Sequence, residues 1–286
     1  MRFIHLTDTH LTAADRPLYG IVPSERLRIA VEDINTRFSD AEFLIVTGDL
    51  AHRGEPDAYR MLGQLLNDLK IPVHLGIGNH DRRADFRKQF ATTPTDPQGF
   101  VQYAVDHAGY KFIMLDTIDE GSASGALGAE RLSWLKNTLA ASPRNGAFLF
   151  LHHAPVRLGI PDLDDIGLRD TSEFGDIIET AGTVKHMFFG HVHRPASGVW
   201  RGIPFSTQRS LVNQSALNPR RDGGILDNLE PPAYSVINVE ENGDIVVNLH
   251  EFMDDSPAFY ISGLHAIDER QNPRNIDGTF TQPYIR

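Results

Sequence analysis

Histidine and aspartate side chains follow short apolar runs in this sequence, and their types and spacing indicate a metal site. The apolar pair Phe188-Phe189 stops at Gly190 and is followed by His191 and His193. In an extended segment alternate side chains lie on one face, so we expect both histidines to reach the same metal cluster. A histidine pair alone is weak support for a metal site, and the other apolar runs decide the interpretation.

Four upstream apolar runs also end in potential ligands, namely Asp8-Thr9-His10, Gly48-Asp49, Gly78-Asn79-His80-Asp81 and His152-His153. Two metal ions about 3.5 to 4 Å apart need a shared carboxylate, and imidazole and oxygen ligands complete each ion. We expect Asp8 and His10 to share a face of one strand end. Asp49 could bridge two ions through its two oxygens, and Asn79 offers an amide oxygen. The candidate ligands are Asp8, His10, Asp49, Asn79, His152, His191 and His193.

The charge of this candidate set differs from the charge of the whole chain. Only Asp8 and Asp49 are charged, so two divalent ions with a bridging hydroxide would leave the site net positive and attractive to an anionic phosphate ester. The chain has a formal charge of −11, from 38 acidic and 27 basic side chains, without a lysine or arginine run. This balance disfavours binding to a nucleic acid polymer or to an anionic membrane.

Composition places the chain among ordinary globular proteins. Its 286 residues can bury a large core, and 41% hydrophobic with 23% charged residues is the usual balance. The chain has no cysteine, which excludes disulfides, thiolate zinc sites and cysteine nucleophiles. The N-terminus enters a strand-like run without a leader pattern, and no apolar stretch approaches membrane-spanning length, so we expect a soluble cytoplasmic protein.

The element pattern predicts an α/β fold with the candidate ligands at strand ends. It predicts strands over residues 2–7, 43–46, 72–77, 147–151 and 186–189, and helices over 24–38, 55–69, 82–90, 130–139 and 172–181. Apolar strands that alternate with helices are typical of parallel βαβ units. Ligands bind such sheets at the carboxyl ends of the strands, where each candidate motif lies.

Shorter runs predict antiparallel additions. Residues 100–106 and 110–115 indicate a hairpin. Four further runs, 198–200, 204–207, 234–239 and 245–250, are typical of an antiparallel meander and imply a second sheet. Residues 252–286 have little periodicity, and we expect them to form an extended arm.

The five motifs resemble, in order and spacing, the signature of the calcineurin-like metallophosphoesterases over roughly residues 1–250. Asp8-Thr9-His10, Leu18-Tyr19-Gly20, His152-His153-Ala154-Pro155 and the C-terminal arm resemble more closely the bacterial class III cyclic nucleotide phosphodiesterases and glycerophosphodiesterases. This resemblance implies an α/β, four-layer αββα sandwich of two mixed β-sheets flanked by helices. Residues 1–251 would be the catalytic domain, and residues 252–286 an arm that contacts another subunit of a homo-oligomer or caps the active site.

The resemblance also implies roles for single residues. One ion would be held by Asp8, His10, Asp49 and His193, and the other by Asp49, Asn79, His152 and His191, with iron, manganese, zinc or cobalt as the metals. His80 would face the substrate phosphate as proton donor, with Asp49 and Asn79 as the other catalytic residues. Asn79, His80, Asn213 and Tyr19 would contact substrate. Several relatives have a histidine at the position of Asn213, whose amide can donate a hydrogen bond to phosphate but cannot transfer a proton.

These inferences predict a dinuclear-metal phosphodiesterase that hydrolyses small diesters, either glycerophosphodiesters or 3′,5′-cyclic nucleotides, by attack of a metal-bound hydroxide. A broad phosphomonoesterase is one alternative, but it should have further cationic groups near the motifs. A non-catalytic metal-binding scaffold is another, although every ligand position is filled by a competent side chain. Nearby residues have less specific interpretations: Asp81 as a helix cap, His153 as support or packing, and His52 as either a substrate contact or a solvated side chain.

Overall fold

Two mixed β-sheets stack face to face between two groups of helices in the computed structural model, as the αββα prediction requires. The strands are β1 Arg2–Leu6, β2 Leu44–Thr47, β3 Val73–Gly76, β4 Tyr103–His107, β5 Tyr110–Met114, β6 Ala147–Leu151, β7 Val184–Phe189, β8 Ala196–Trp200, β9 Ile203–Thr207, β10 Gln214–Ser215, β11 Asp227–Asn228, β12 Tyr234–Val239, β13 Ile245–His250, β14 Phe259–Tyr260 and β15 Arg274–Asn275. The helices are α1 Pro23–Arg37, α2 Pro56–Leu66, α3 Arg83–Gln89, α4 Gly128–Ala140, α5 Pro161–Asp164 and α6 Thr171–Ala181. Five of these helices lie where the sequence predicts them, and α5 was not predicted.

The structure describes residues 1–221, 223–256, 259–260 and 274–275. Residues Met1–Phe252 form one compact unit, and Met253–Arg286 are a second unit. Most of the predicted arm therefore lies outside the described residues, and its role as an oligomer contact or a cap stays a prediction. No helix in the described ranges has both the length and the apolar character that a bilayer crossing requires.

The first sheet has the order β13-β12-β1-β2-β3, and the second has the order β4-β5-β6-β7-β9-β8. In the first sheet β1, β2 and β3 are parallel, and β12 and β13 add antiparallel strands beside β1. In the second sheet β5, β6, β7 and β9 are parallel, with antiparallel β4 and β8 at the edges. The predicted hairpin of β4 and β5 is confirmed.

The predicted meander is wrong, because its four runs divide between the two sheets. Strands β8 and β9 extend the second sheet, where β9 pairs with β7. Strands β12 and β13 instead extend the first sheet, where β12 pairs with β1 over Arg2–His5. A local pattern of alternation identifies a strand, but the neighbour it pairs with is chosen by tertiary packing.

Helix α1 shows how the sequence builds one outer layer. The helix begins at Pro23, whose fixed φ and missing N–H suit the first helical turn. Leu27, Val31 and Ile34 recur three or four residues apart and are buried against the first sheet. Helices α2 and α3 cover the same sheet, whereas α4, α5 and α6 cover the other.

An aromatic core fills the space between the sheets. The Phe3 ring of β1 lies 5.4–6.0 Å from the rings of Phe43, Phe112, Phe148, Phe150 and Phe188, which come from four other strands or strand ends. Alternation along β1 directs Phe3 into this core and Ile4 towards the helices. Strand β1 is therefore held from both sides immediately before it reaches the candidate ligands.

We expect Phe3→Ala to lower the free energy of unfolding by about 3–5 kcal/mol, because a large ring would leave a cavity between rigid sheets. Urea denaturation of the variant measures this loss. Val199→Ala on β8 is the control: Val199 is 69% exposed, and its truncation should change stability by less than about 0.5 kcal/mol. Equal effects of the two substitutions would contradict the proposed importance of the aromatic core.

Candidate metal centre

The candidate ligands lie on the loops that follow parallel strands of both sheets. Asp8 and His10 follow β1, Asp49 follows β2, Asn79 follows β3, His152 follows β6, and His191 and His193 follow β7. Most of these side chains are buried, and Asn79 and His193 are partly exposed. The loops therefore bring side chains separated by more than a hundred residues into one cluster.

The backbone of these loops is unusual. Five candidate ligands have left-handed φ angles: Asp8 (52°), His10 (44°), Asp49 (48°), His191 (70°) and His193 (45°). The expectation that Asp8 and His10, and likewise His191 and His193, share a face of an extended segment is therefore wrong. The strands end before the ligands, and tight turns direct the side chains together instead. Such conformations cost roughly 1–3 kcal/mol each and persist where the surrounding structure enforces them, often at functional sites.

One group of ligand atoms consists of Asp8, His10, Asp49 and His193, whose ligand atoms are close enough to hold one ion. His193 Nε2 lies 3.0 Å from His10 Nε2 and 3.3 Å from Asp8 Oδ1. His10 Nε2 lies 3.6 Å from Asp49 Oδ2 and 3.9 Å from Asp8 Oδ1. These are the four residues expected to surround the first ion.

A second group of ligand atoms lies on the other side of the Asp49 carboxylate. His152 Nε2 lies 3.3 Å from Asp49 Oδ1 and 3.1 Å from Asn79 Oδ1. The His191 ring lies 5.1 Å from the His152 ring, measured between centroids. The two oxygens of Asp49 therefore face different groups, which is the arrangement that a bridging carboxylate requires.

The hydrogen-bonding roles of the histidines show that the donor set suits cations. His152 Nδ1 lies 2.9 Å from the Thr47 carbonyl oxygen, and His193 Nδ1 lies 2.9 Å from the Asn213 carbonyl oxygen. A carbonyl only accepts hydrogen bonds, so each Nδ1 is the protonated nitrogen, and Nε2 of the neutral ring presents a lone pair to the cluster. Lone pairs then face carboxylate and amide oxygens, and a divalent cation would satisfy them all.

The pKa values show how strongly the two carboxylates attract positive charge. Burial lowers the pKa of His152, but the Asp49 carboxylate more than compensates and raises it to about 9. Burial also lowers the pKa of His193, but the Asp8 carboxylate outweighs burial and raises this pKa above its usual value. Burial alone dominates at His191, whose pKa falls to about 3. The buried carboxylates thus demand a counter-charge, which protons or metal ions can supply.

A cavity of about 190 Å³ opens onto the two groups, and His80 lines it. His80 Nδ1 donates to the His52 carbonyl (2.7 Å), and the His80 backbone N–H donates to Asp49 Oδ1 (2.9 Å). The His52 ring stacks on the His80 ring at 5.1 Å and also lines the cavity. His80 Nδ1 is therefore committed to the backbone, and contact of His80 or His52 with substrate stays a prediction.

The predicted substrate contacts Tyr19 and Asn213 also line the cavity. Tyr19 is 64% exposed. The Asn213 side chain donates to Asp227 Oδ2 (2.7 Å), and its backbone carbonyl holds His193. Its contact with phosphate stays a prediction. No sequence motif identifies Asp227, because this carboxylate is brought to the cavity by the pairing of β10 with β11.

The prediction that Asp81 is a helix cap is wrong, because Asp81 does not cap α3. The N-cap of that helix is Arg82, and no side chain caps it. The buried Asp81 carboxylate accepts hydrogen bonds from the backbone N–H groups of Leu50 (3.1 Å), Ala51 (3.0 Å) and Gly78 (2.9 Å) and from the Tyr59 hydroxyl (3.0 Å). Asp81 thus joins the loop after β2 to the loop after β3, which carry Asp49 and Asn79.

His153 lies beside the candidate ligands His152 and His191. Its Nδ1 lies 2.7 Å from Thr117 Oγ1, and its Nε2 lies 3.2 Å from the Ala123 carbonyl oxygen. Its ring packs 4.7 Å from the His191 ring. Both ring nitrogens have protein partners, which agrees with the expected role in support or packing.

Comparison with known proteins identifies the family. Residues 1–195 match the family model of the calcineurin-like phosphoesterases. The chain belongs to this family. Its Asp and His cluster suits a dinuclear metal site, and its sheets and helices have the family architecture.

Relatives and solved structures of calcineurin-like phosphoesterases resemble most of this chain. It is 42% identical over 262 residues to a probable cyclic nucleotide phosphodiesterase of Rhodopseudomonas palustris, covering 91% of this chain and 95% of the relative. It is 28% identical over 239 residues to a probable glycerophosphodiester phosphodiesterase of Arcobacter nitrofigilis, covering 82% of this chain and 88% of the relative. A dimetal phosphatase from Danio rerio has the same fold, with a TM-score of 0.66 at 16% identity. The match covers 88% of this chain and 96% of the phosphatase.

Glycines in this phosphoesterase allow the ligand loops to approach each other. A Cβ atom at Gly190 would overlap Thr7 Oγ1 and lie 2.8 Å from Asp8 Oδ2. A Cβ atom at Gly78 would overlap Asp49 Oδ1. The glycines that precede Asn79 and His191 are therefore required by their close approach to the side chains of Asp49, Thr7 and Asp8.

We expect Gly190→Ala to displace Asp8 and to reduce metal retention at least about tenfold, since supports of metal ligands typically contribute that much. Metal content after stripping, reloading and desalting measures the effect. Gly63→Ala in α2 is the control, because its new methyl group would make only ordinary contacts, the nearest at 3.5 Å. Normal metal content in the Gly190 variant would show that the loop adjusts without cost.

Proposed function

We propose that this protein is a dinuclear-metal-dependent phosphodiesterase that hydrolyses small phosphodiesters, either 3′,5′-cyclic nucleotides or glycerophosphodiesters. The observation that supports this most strongly is the position of Asp49, whose two oxygens face two separate groups of histidine and oxygen ligands. The names of the two relatives support the two substrate classes.

In this proposal Asp8, His10, Asp49 and His193 hold one ion, and Asp49, Asn79, His152 and His191 hold the other. Iron, manganese, zinc and cobalt all suit imidazole, carboxylate and amide ligands. When bound, two such cations lower the pKa of a water molecule and neutralise charge on the phosphoryl oxygens. The protein supplies a buried, preorganised set of ligands that need little rearrangement.

His80 is the proposed proton donor to the leaving alcohol. Its Nδ1 hydrogen is committed to the His52 carbonyl, so the imidazolium form carries its other proton on Nε2, on the cavity side. Its backbone N–H is tied to Asp49, which keeps the ring beside the metal ligands. Transfer of the Nε2 proton would stabilise the departing alkoxide oxygen.

The charges around the cavity favour a diester over a monoester. Among the described residues that line it, none is lysine or arginine, and Asp227 adds a carboxylate. A monoester dianion would require additional positive charge, whereas a diester carries a single negative charge. We therefore propose the diesterase activity over the alternative of a broad phosphomonoesterase. A cytoplasmic location and a homo-oligomeric state stay predictions of the sequence.

The reaction class is tested with matched aryl substrates, bis(4-nitrophenyl) phosphate and 4-nitrophenyl phosphate. We expect metal-stripped protein to be inactive and manganese- or cobalt-loaded protein to turn over the diester faster than the monoester. Competition by cyclic AMP and by a glycerophosphodiester then separates the two substrate classes. Stoichiometric metal binding without turnover of either ester would refute the proposal and favour a metal-binding scaffold.

The role of His80 predicts a dependence on the leaving group. We expect His80→Ala to slow hydrolysis of an alkyl diester by about 10²–10⁴-fold, because an alkoxide needs a proton, and to affect a 4-nitrophenyl diester much less. Steady-state kinetics on both substrates gives the comparison. His107→Ala, at a position outside the cavity on β4, should leave both rates unchanged. Equal losses on both substrates would remove His80 from the role of proton donor.

A further inference from the structure

A continuous series of buried hydrogen bonds leads from the interior of β1 to the candidate ligand Asp8. His5 Nε2 lies 2.9 Å from Thr47 Oγ1, Thr47 Oγ1 lies 2.9 Å from Thr7 Oγ1, and Thr7 Oγ1 lies 2.7 Å from Asp8 Oδ2. Each of these side chains is at most 1% exposed. We call His5, Thr47 and Thr7 the Asp8 relay.

The direction of every hydrogen bond in the Asp8 relay follows from its carboxylate end. The Asp8 carboxylate only accepts, so the Thr7 hydroxyl donates to it. The Thr7 oxygen must then accept from Thr47, and the Thr47 oxygen must accept from His5 Nε2–H. All three donors thus point towards Asp8, and hydrogen bonds aligned in this way strengthen one another.

The Asp8 relay engages one oxygen of the Asp8 carboxylate and leaves the other oxygen available to a cation. Asp8 Oδ2 accepts from the Thr7 hydroxyl and from the backbone N–H of His191, which lies 3.0 Å away. Asp8 Oδ1 lies slightly further from the same His191 N–H, at 3.2 Å. The Oδ1 atom faces His193 Nε2 and His10 Nε2, which are the candidate nitrogen ligands of the same group.

The far end of the Asp8 relay is anchored in the rigid inter-sheet core. The His5 ring packs 5.5 Å from Phe188 and 6.3 Å from Phe150, and the His5 carbonyl accepts from Gln208 Nε2 (2.6 Å). Burial lowers the pKa of His5 to about 3, so the ring is neutral at physiological pH. Its position therefore depends on packing and not on its charge.

We propose that His5, Thr47 and Thr7 are positioning residues that set the affinity of one metal position, the one that contains Asp8. The inference rests on the metal assignment made under the proposed function. The second position depends on the Asp8 relay less directly: His152 is oriented by the Thr47 backbone carbonyl, which a side-chain substitution leaves in place, and His191 contacts Asp8 through its backbone N–H. Loss of the Asp8 relay should thus weaken one position selectively.

The experiment is isothermal titration of Mn²⁺ or Co²⁺ into the metal-stripped full chain, which gives a dissociation constant for each position. We expect Thr7→Val to raise one dissociation constant by about 10–100-fold, as loss of a metal-ligand support typically does, and to leave the other within about threefold. Thr47→Val should produce a smaller rise in the same constant, because it acts one hydrogen bond further away. Asp8→Asn identifies which constant belongs to the Asp8 position.

Two controls separate positioning from general destabilisation. Thr9 is also buried beside Asp8, but its hydroxyl donates to the Leu50 carbonyl (2.8 Å), so Thr9→Val should leave both constants nearly unchanged. Thr7→Ser restores the hydroxyl and should restore affinity. A similar rise in both constants for Thr7→Val, equal effects of Thr7→Val and Thr9→Val, or binding of fewer than two ions by the wild-type chain would overturn the inference. The titration contains no substrate, so absence of diester hydrolysis would refute the proposed function without altering this result.

Discussion

The Asp49 carboxylate is the group on which the rest of the site depends. It is buried, and its two oxygens face His10 on one side and His152 on the other. A buried negative charge is costly unless positive charge or hydrogen-bond donors surround it. The loops that carry the other ligands can therefore be understood as supplying partners to one carboxylate, from both sheets at once.

Strand β2 places this carboxylate, and it does so with the help of its last residue. Thr47 ends β2, its carbonyl orients His152, and its hydroxyl belongs to the Asp8 relay. Strand β2 lies between β1 and β3 in the first sheet, so Asp49 emerges between the loops that carry Asp8 and Asn79. The aromatic core behind these strands keeps the sheet ends in register while the loops adopt strained backbone angles.

The charge at the site is set locally, by two buried carboxylates and the histidines around them. The protein has a net charge of −11, and the cluster presents imidazoles and the Asp49 carboxylate to a small cavity. Asp227 adds a carboxylate to the cavity lining, and the described lining residues include no lysine or arginine. These residues lie outside the candidate ligand motifs, so the charge of the cavity wall depends on positions that the motifs do not specify.

The sequence by itself determined most elements and the identity of the candidate ligands, because both depend on local information, whereas the four layers followed from the resemblance to a known family. Apolar runs and helical periodicity are properties of short segments, and the oxygen and nitrogen atoms that aspartate, asparagine and histidine can offer a metal ion are fixed by the residue type. Tertiary structure decided how these pieces meet. The pairing of β12 with β1, the hydrogen bonds of Asp81 and the arrival of Asp227 each join segments that are distant in sequence. The left-handed turns at Asp8 and His193 likewise arise because the surrounding loops enforce them, which no alternation pattern records.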